Sequence, residues 1–187
     1  MTAPTHVTFA EFVYLLLLTT TGVSLNPVNA AVIAVSSLLP DVDTAASTVG
    51  KLVPLVSLMV ERKFGHRTIT HSAIFIAGIA IVSLPLSALS TDIYTCIVVG
   101  FGSHTFLDTM TVNGVKLFYP FSTAKCVFPL EVNNPHRYRI RTGGKMDKAL
   151  AVIFLAGCVP TFIIAFQGYE RFIRVTQQSN EVFGRNA

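Results

Sequence analysis

The sequence contains no tryptophan, and only 13% of its 187 residues are charged. Water-soluble domains carry about 25% charged residues, so this chain has too few to cover a soluble surface. Cysteine is sparse as well. Cys96 and Cys158 lie in apolar runs, Cys126 lies in a loop, and no Cys-x-x-Cys pair occurs. An odd count without paired spacing argues against a disulfide framework, and nothing suggests a zinc knuckle, so free thiols are expected. No Lys or Arg precedes the first apolar stretch. That argues against a secretory signal with a basic start and for an uncleaved first span. Lipidation motifs, internal repeats and low-complexity tracts are also missing.

Apolar residues make up 51% of the chain, and the mean hydropathy is +0.59. This is the composition of a membrane protein, and the length suits a single domain. The formal charge of +4 is gathered in a few loops, which suits an anionic membrane surface; no specific nucleic acid partner is expected. Because about 20 apolar residues cross a bilayer, residues 7–25 read as a first span with Glu11 inside it. Asn26-Pro27 marks a turn, and residues 28–39 form a short apolar segment ended by Pro40. Residues 51–60 are too short to span and suit the interface. Residues 73–90 read as a span kinked at Pro85, residues 93–110 as a central helix, and residues 149–168 as a last span with a fraying tail. The expected fold is all-α: an integral membrane bundle of four or five helices over residues 1–168, followed by a polar tail at 169–187.

Two hairpins, 7–40 and 73–110, place His6, Asp41, His71 and Asp108 at one membrane edge. The same edge carries the basic loops, so the positive-inside rule makes it cytoplasmic. Arg171 and Arg174 conflict with that assignment if residues 149–168 cross fully. Within residues 93–108, IYTCIVVGFGSHTFLD, His104 and Asp108 share one helix face, a turn apart. Ionisable groups at the end of a membrane helix are costly unless something binds them. Four of the five histidines and three of the ten acids fall into four clusters: His6, Asp41 with Asp43, His66 with His71, and His104 with Asp108. Histidine with carboxylate is the ligand set of zinc, manganese or iron. Arg67 offers a fork suited to a phosphate. His136 reads as surface decoration. Ser103 and Thr105 have no nucleophile elbow around them, which argues against a serine hydrolase.

Thr5-His6, LLPDVD at 38–43, HRTITHS at 66–72 and SHTFLDTMTVNGVKLFYP at 103–120 together resemble the YdjM family of bacterial inner-membrane proteins. That family is described as membrane-bound, metal-dependent hydrolases. It is distantly similar to the all-helical zinc phospholipase C and single-strand nuclease group, which cleaves phosphoesters. The resemblance implies a first zinc held by Asp41, His71 or His66, His104 and Asp108. Asp108 would bridge to a second zinc that also takes His6. Asp43 and the second of the two loop histidines complete the candidate ligands. The chain departs from that group in having no tryptophan, whose terminal amine the soluble enzymes use. After Asp108 it has only His136 and Asp147 with which to build a third zinc site. Two ions are therefore expected, zinc or alternatively manganese. The implied function is hydrolysis of a lipid or lipid-linked phosphoester by a metal-activated water, with Asp108 and Arg67 as catalytic residues and membrane lipid as a partner. The alternative is a non-catalytic metal-binding membrane protein, a transporter or sensor.

Overall fold

The computed structural model describes residues 1–128 and 139–184. Among these residues the chain is helical, with no strand and only isolated bridges pairing Thr111 with Ile140 and Val115 with Cys126. His136 and Arg137 lie outside the described residues.

Helix α1 spans Ala3–Thr20 and starts earlier than the apolar run suggests, because Pro4 sits at its opening, where the missing N–H costs nothing. Asn26 does not form a turn with Pro27; it caps α2 (Pro27–Ser36) by accepting from the Val28 N–H. Helix α2 ends before Pro40, which instead sits in a 3-10 turn over Leu39–Asp43. Helix α3 (Pro54–Phe64) follows, then α4 (Ala73–Ser83), capped by Ser72. Pro85 does not kink a continuous helix. It lacks the N–H that the next turn requires, and the chain tightens into a 3-10 segment over Leu84–Ala88. Helix α5 is Thr91–Thr109, and α6 is Lys145–Gly184. Helix α6 passes Pro160 unbroken and continues through residues where a fraying tail is expected.

Helix α5 packs against α1, α2 and α4, and α1 packs against α6 on its other side. Ala10, Tyr14, Val23, Ile33 and Cys96 form one core cluster; Met1, Leu107 and Ile140 form another near the metal-type residues. At the far end the Tyr14 hydroxyl donates to the Ser24 carbonyl, and Asp92 accepts from Ser24, tying the α1–α2 connection to the start of α5. One helix among the described residues is long and apolar enough to cross a membrane, α6 over Lys145–Glu170. The apolar stretch Ala73–Ala88 is shorter.

Candidate metal centre

The start of α1, the end of α2, the residues before α4, the end of α5 and the start of α6 meet at one end of the bundle. Gly100 makes that meeting possible. A Cβ there would lie 2.9 Å from the Ile33 carbonyl oxygen, so only glycine lets α5 approach α2 this closely. One turn further along α5, His104 Nδ1 donates to the Ser37 carbonyl at 2.6 Å. Because a carbonyl only accepts, this bond fixes the tautomer and leaves the Nε2 lone pair facing inward.

His71 is oriented in the same way. Thr70 Oγ1 donates to Asp43 Oδ2 at 2.7 Å and thereby presents a lone pair to His71 Nδ1 at 2.9 Å. His71 Nε2 then points at His104 Nε2, 3.1 Å away. Asp41 Oδ1 lies 3.4 Å from His104 Nε2 and 3.7 Å from His71 Nε2; Asp108 Oδ2 lies 3.8 and 3.6 Å from the same two atoms. A tetrahedral ion with bonds of about 2.0–2.1 Å separates its ligand atoms by roughly 3.3 Å. The four groups therefore fit one such ion with small adjustments. Without a metal a proton on His71 Nε2 closes this contact as a hydrogen bond to His104; once that proton leaves, both lone pairs face one point beside two carboxylates, which makes the donor set a match for a metal.

Asp41, Asp43 and His66 form a second group that could hold an ion. Asp43 Oδ1 meets His66 Nδ1 at 2.7 Å, while its Oδ2 accepts from the Arg67 N–H and from Thr70. Asp43 thus supports both histidines of the 66–71 segment, whereas His66 is the more exposed of the two and His71 is fully buried. The two pairs left open by the sequence divide: His71 joins the inner group, Asp43 and His66 join the outer one, and Asp41 belongs to both.

His6 is buried and stacks on His104, with ring centroids 3.7 Å apart, and its Nε2 lies 3.4 Å from Asp108 Oδ1. Both ring nitrogens of His6 are buried without an aligned hydrogen-bond partner, whereas Oδ2 of Asp108 and Nε of Arg67 face each other as an ion pair. Orphaned polar atoms concentrated in one place point to an absent polar occupant. The sequence reading missed another group here, the α-amino nitrogen of Met1, which contacts Asp108 Oδ1 in the buried interior. Asp147, weighed for a third ion, accepts from the Thr2 and Gly143 N–H groups and from the Thr5 hydroxyl. It anchors the first turn of α1.

Arg67 is not free in a loop. Its Nε lies 2.8 Å from Asp108 Oδ2, and its Nη1 donates to Thr111 Oγ1 at 2.9 Å. Its backbone takes φ of 59°, unusual for a residue with a Cβ. A cavity of about 390 Å³ opens beside it, lined by Thr2, Asp41, Thr44, Ser47, His66 and Arg67 among others.

Electrostatics agree with a site built for positive charge. Burial pushes the Asp41 carboxyl up, but the hydrogen bond and charge of His104 outweigh it and hold it at about 2. Burial acts likewise on Asp43, and the bonds from His66 and His71 hold it well below the usual carboxylate range. For His71, burial opposes the charged ring, yet the carboxylates of Asp108 and Asp43 raise its pKa to about 9.

These features define a class, a membrane protein that is helical over its described residues and carries a buried histidine–aspartate cluster that could hold a metal ion. The chain belongs to the YdjM inner membrane protein family, whose model matches residues 1–176. It is 34% identical over 139 residues to the uncharacterized protein YvsG of Bacillus subtilis (strain 168), covering 72% of this chain and 78% of that protein. It is also 34% identical over 87 residues to the inner membrane protein YdjM of Escherichia coli (strain K12), covering 44% of each chain. No solved structure matches the chain.

Proposed function

We propose that this protein is a membrane-bound, metal-dependent hydrolase of phosphoesters, acting on a lipid or lipid-linked phosphate. One observation carries the reading: the Nε2 atoms of His71 and His104 face each other at 3.1 Å with Asp41 and Asp108 beside them. Asp41, His71, His104 and Asp108 would hold the first ion. Asp108 with His6 would hold a second; Asp43 and His66 with Asp41 are the other available set. Zinc suits the histidine-rich donors, and manganese is the alternative. Bound there, such ions supply Lewis acidity and lower the pKa of water. The chain's own part is to place the phosphate. Arg67 lines the cavity and already balances the charge of Asp108, so its guanidinium meets a phosphate oxygen entering from that side. Thr44 and Thr48 add hydroxyls to the same wall.

The reading includes a bundle of four or five membrane helices, similar to the zinc phospholipase C arrangement, with the site at the cytoplasmic edge. The basic residues around this end, among them Lys51, Arg62, Lys63 and Lys116, support that orientation.

The test is the metal content of detergent-purified protein beside a His104→Ala, Asp108→Ala double variant, followed by assays on phospholipid and generic phosphodiester substrates. About two equivalents of metal, lost in the variant, together with metal-dependent turnover would support the proposal. Bound metal without turnover on any substrate would favour the non-catalytic metal-binding reading. No stoichiometric metal after addition would sink both.

A further inference from the structure

Helix α3 is built the wrong way round for water. Its inward face carries Ser57, which is buried and donates to the Gly50 carbonyl at 3.2 Å, and Glu61, whose Oε2 accepts from the Ala45 N–H at 3.2 Å. Its outward face carries Leu55 and Met59, 83% and 66% exposed, preceded by Leu52 at 80%. On a solvated helix the polar residues face out and the apolar ones face in. Here the first two outward turns are apolar, and the last turn carries Arg62 and Lys63, both exposed. Eleven residues make a helix of about 16 Å, and the hydrocarbon core is about 30 Å thick, so α3 cannot span.

We infer that α3 is an in-plane membrane anchor. Its outward Leu52, Leu55 and Met59 enter the acyl boundary of an anionic leaflet, while Arg62 and Lys63 meet the phosphates. The apolar and basic parts of the face match the two layers of such a surface in depth and in charge. The exposed apolar faces of α4, with Ile74 and Ile81, and of α6, with Ile153 and Ile163, continue the same lipid-facing character in this membrane protein. The anchor also has a local consequence. Residues 44–49 form one wall of the cavity beside Asp41 and are strung between the 3-10 turn and α3. The bonds from Ser57 and Glu61 fasten that wall to the helix, so the depth of α3 sets the depth of the cavity mouth.

Spin labelling of the full chain tests this without reference to activity. Nitroxides are placed at Leu52→Cys, Leu55→Cys and Met59→Cys, with Cys96, Cys126 and Cys158 replaced. The protein is reconstituted in nanodiscs of phosphatidylethanolamine and phosphatidylglycerol, and collision rates with oxygen and with a water-soluble nickel chelate are compared. All three label sites are exposed, and Cys96, which lies in the core, is replaced by alanine, with the cysteine-free parent compared with the wild type in thermal unfolding before labelling. The expected result is a several-fold excess of oxygen over nickel accessibility at 55 and 59, falling when phosphatidylglycerol is replaced by phosphatidylcholine. Nickel accessibility equal to that of a free nitroxide in buffer would overturn the anchor. Shielding from both reagents would overturn it too, because a second protein surface would then cover the helix. An unchanged ratio in phosphatidylcholine would overturn the anionic part of the assignment.

Discussion

Gly100 of α5 faces Ser36 of α2 so closely that a Cβ on the glycine would lie 2.7 Å from the Ser36 Cβ. This crossing sets the reach from Ser37 to His104, one turn further along. Gly100→Ala must therefore push α2 and α5 apart. It is expected to cost about 1–3 kcal/mol, as overpacking does, and to lower bound metal. Gly102, two residues on, has open space around its Cβ position, so Gly102→Ala is expected to keep the metal and gain slightly in stability. Thermal unfolding in detergent and metal per chain measure both effects. Equal metal in the two variants would mean that the helix crossing does not govern the site.

Metal binding should release a proton near neutral pH. His71, raised to about 9 by its carboxylate neighbours, is protonated at pH 7 in the metal-free protein. A metal must displace that proton, so apparent affinity is expected to rise about tenfold per pH unit from 7 towards 9 and then level off. Asp41, held at about 2, adds nothing in this window. The stability of the metal-free protein runs the opposite way. A histidine raised above its usual 6.5 stabilises fully below that pH, and its contribution disappears as pH rises through about 9. Calorimetry in buffers of different ionisation enthalpy counts the proton, and denaturation of chelator-treated protein at pH 6.5 and 9 checks the sign.

The helical fold and the gathering of His6, Asp41, His71, His104 and Asp108 could be read in the sequence, because apolar runs separated by turns force hairpin ends together. The division of labour between Asp41 and Asp43, or between His66 and His71, could not. It depends on the 3-10 turn at Leu39–Asp43 and on the hydroxyl of Thr70, and neither leaves a periodic signal. The Met1 amine was missed because a backbone group has no letter of its own. Pro85 marked a break correctly in position but not in kind, and Pro40 in neither, since α2 ends at Ser36; a proline stops α-helical hydrogen bonding without saying which turn follows.

Asp43 should act through the histidines it orients. Asp43→Asn removes the negative charge that faces His66 and His71 while keeping the size of the side chain. Losing such an orienting carboxylate lowers metal affinity by about 10–100-fold. Zinc titration against a competing chelator measures the change. The Asp108→Asn variant, which alters a proposed ligand, is expected to lose more.

Asp147 ties the beginning of α1 to the beginning of α6 through Thr2, Thr5 and Gly143. Asp147→Ala takes the carboxylate acceptor from the buried Thr5 hydroxyl, at about 1–3 kcal/mol for a buried group left unsatisfied, and gives up the half-buried bonds from Thr2 and Gly143. Hydrogen exchange should then speed up across residues 2–6, and with it metal affinity should fall, since His6 lies in that turn. Unchanged exchange would show that the helix contacts alone hold the N-terminal turn.

Arg67 provides the sharpest separation between holding metal and binding substrate. Its guanidinium meets Asp108 through Nε and Thr111 through Nη1, a forked arrangement that a lysine ammonium cannot reproduce. Arg67→Lys keeps a positive charge beside Asp108, so metal content is expected to stay near the wild-type level. Phosphate recognition should weaken, because charge-assisted hydrogen bonds are worth about 1.5–3 kcal/mol each, equivalent to roughly 10–100-fold. Displacement of a phosphate analogue from the metal-loaded protein reads this directly, and KM on an active substrate should rise by a similar factor. If Arg67→Lys loses metal and phosphate together, the arginine acts only as the counter-charge of Asp108, and phosphate must be bound elsewhere in the cavity.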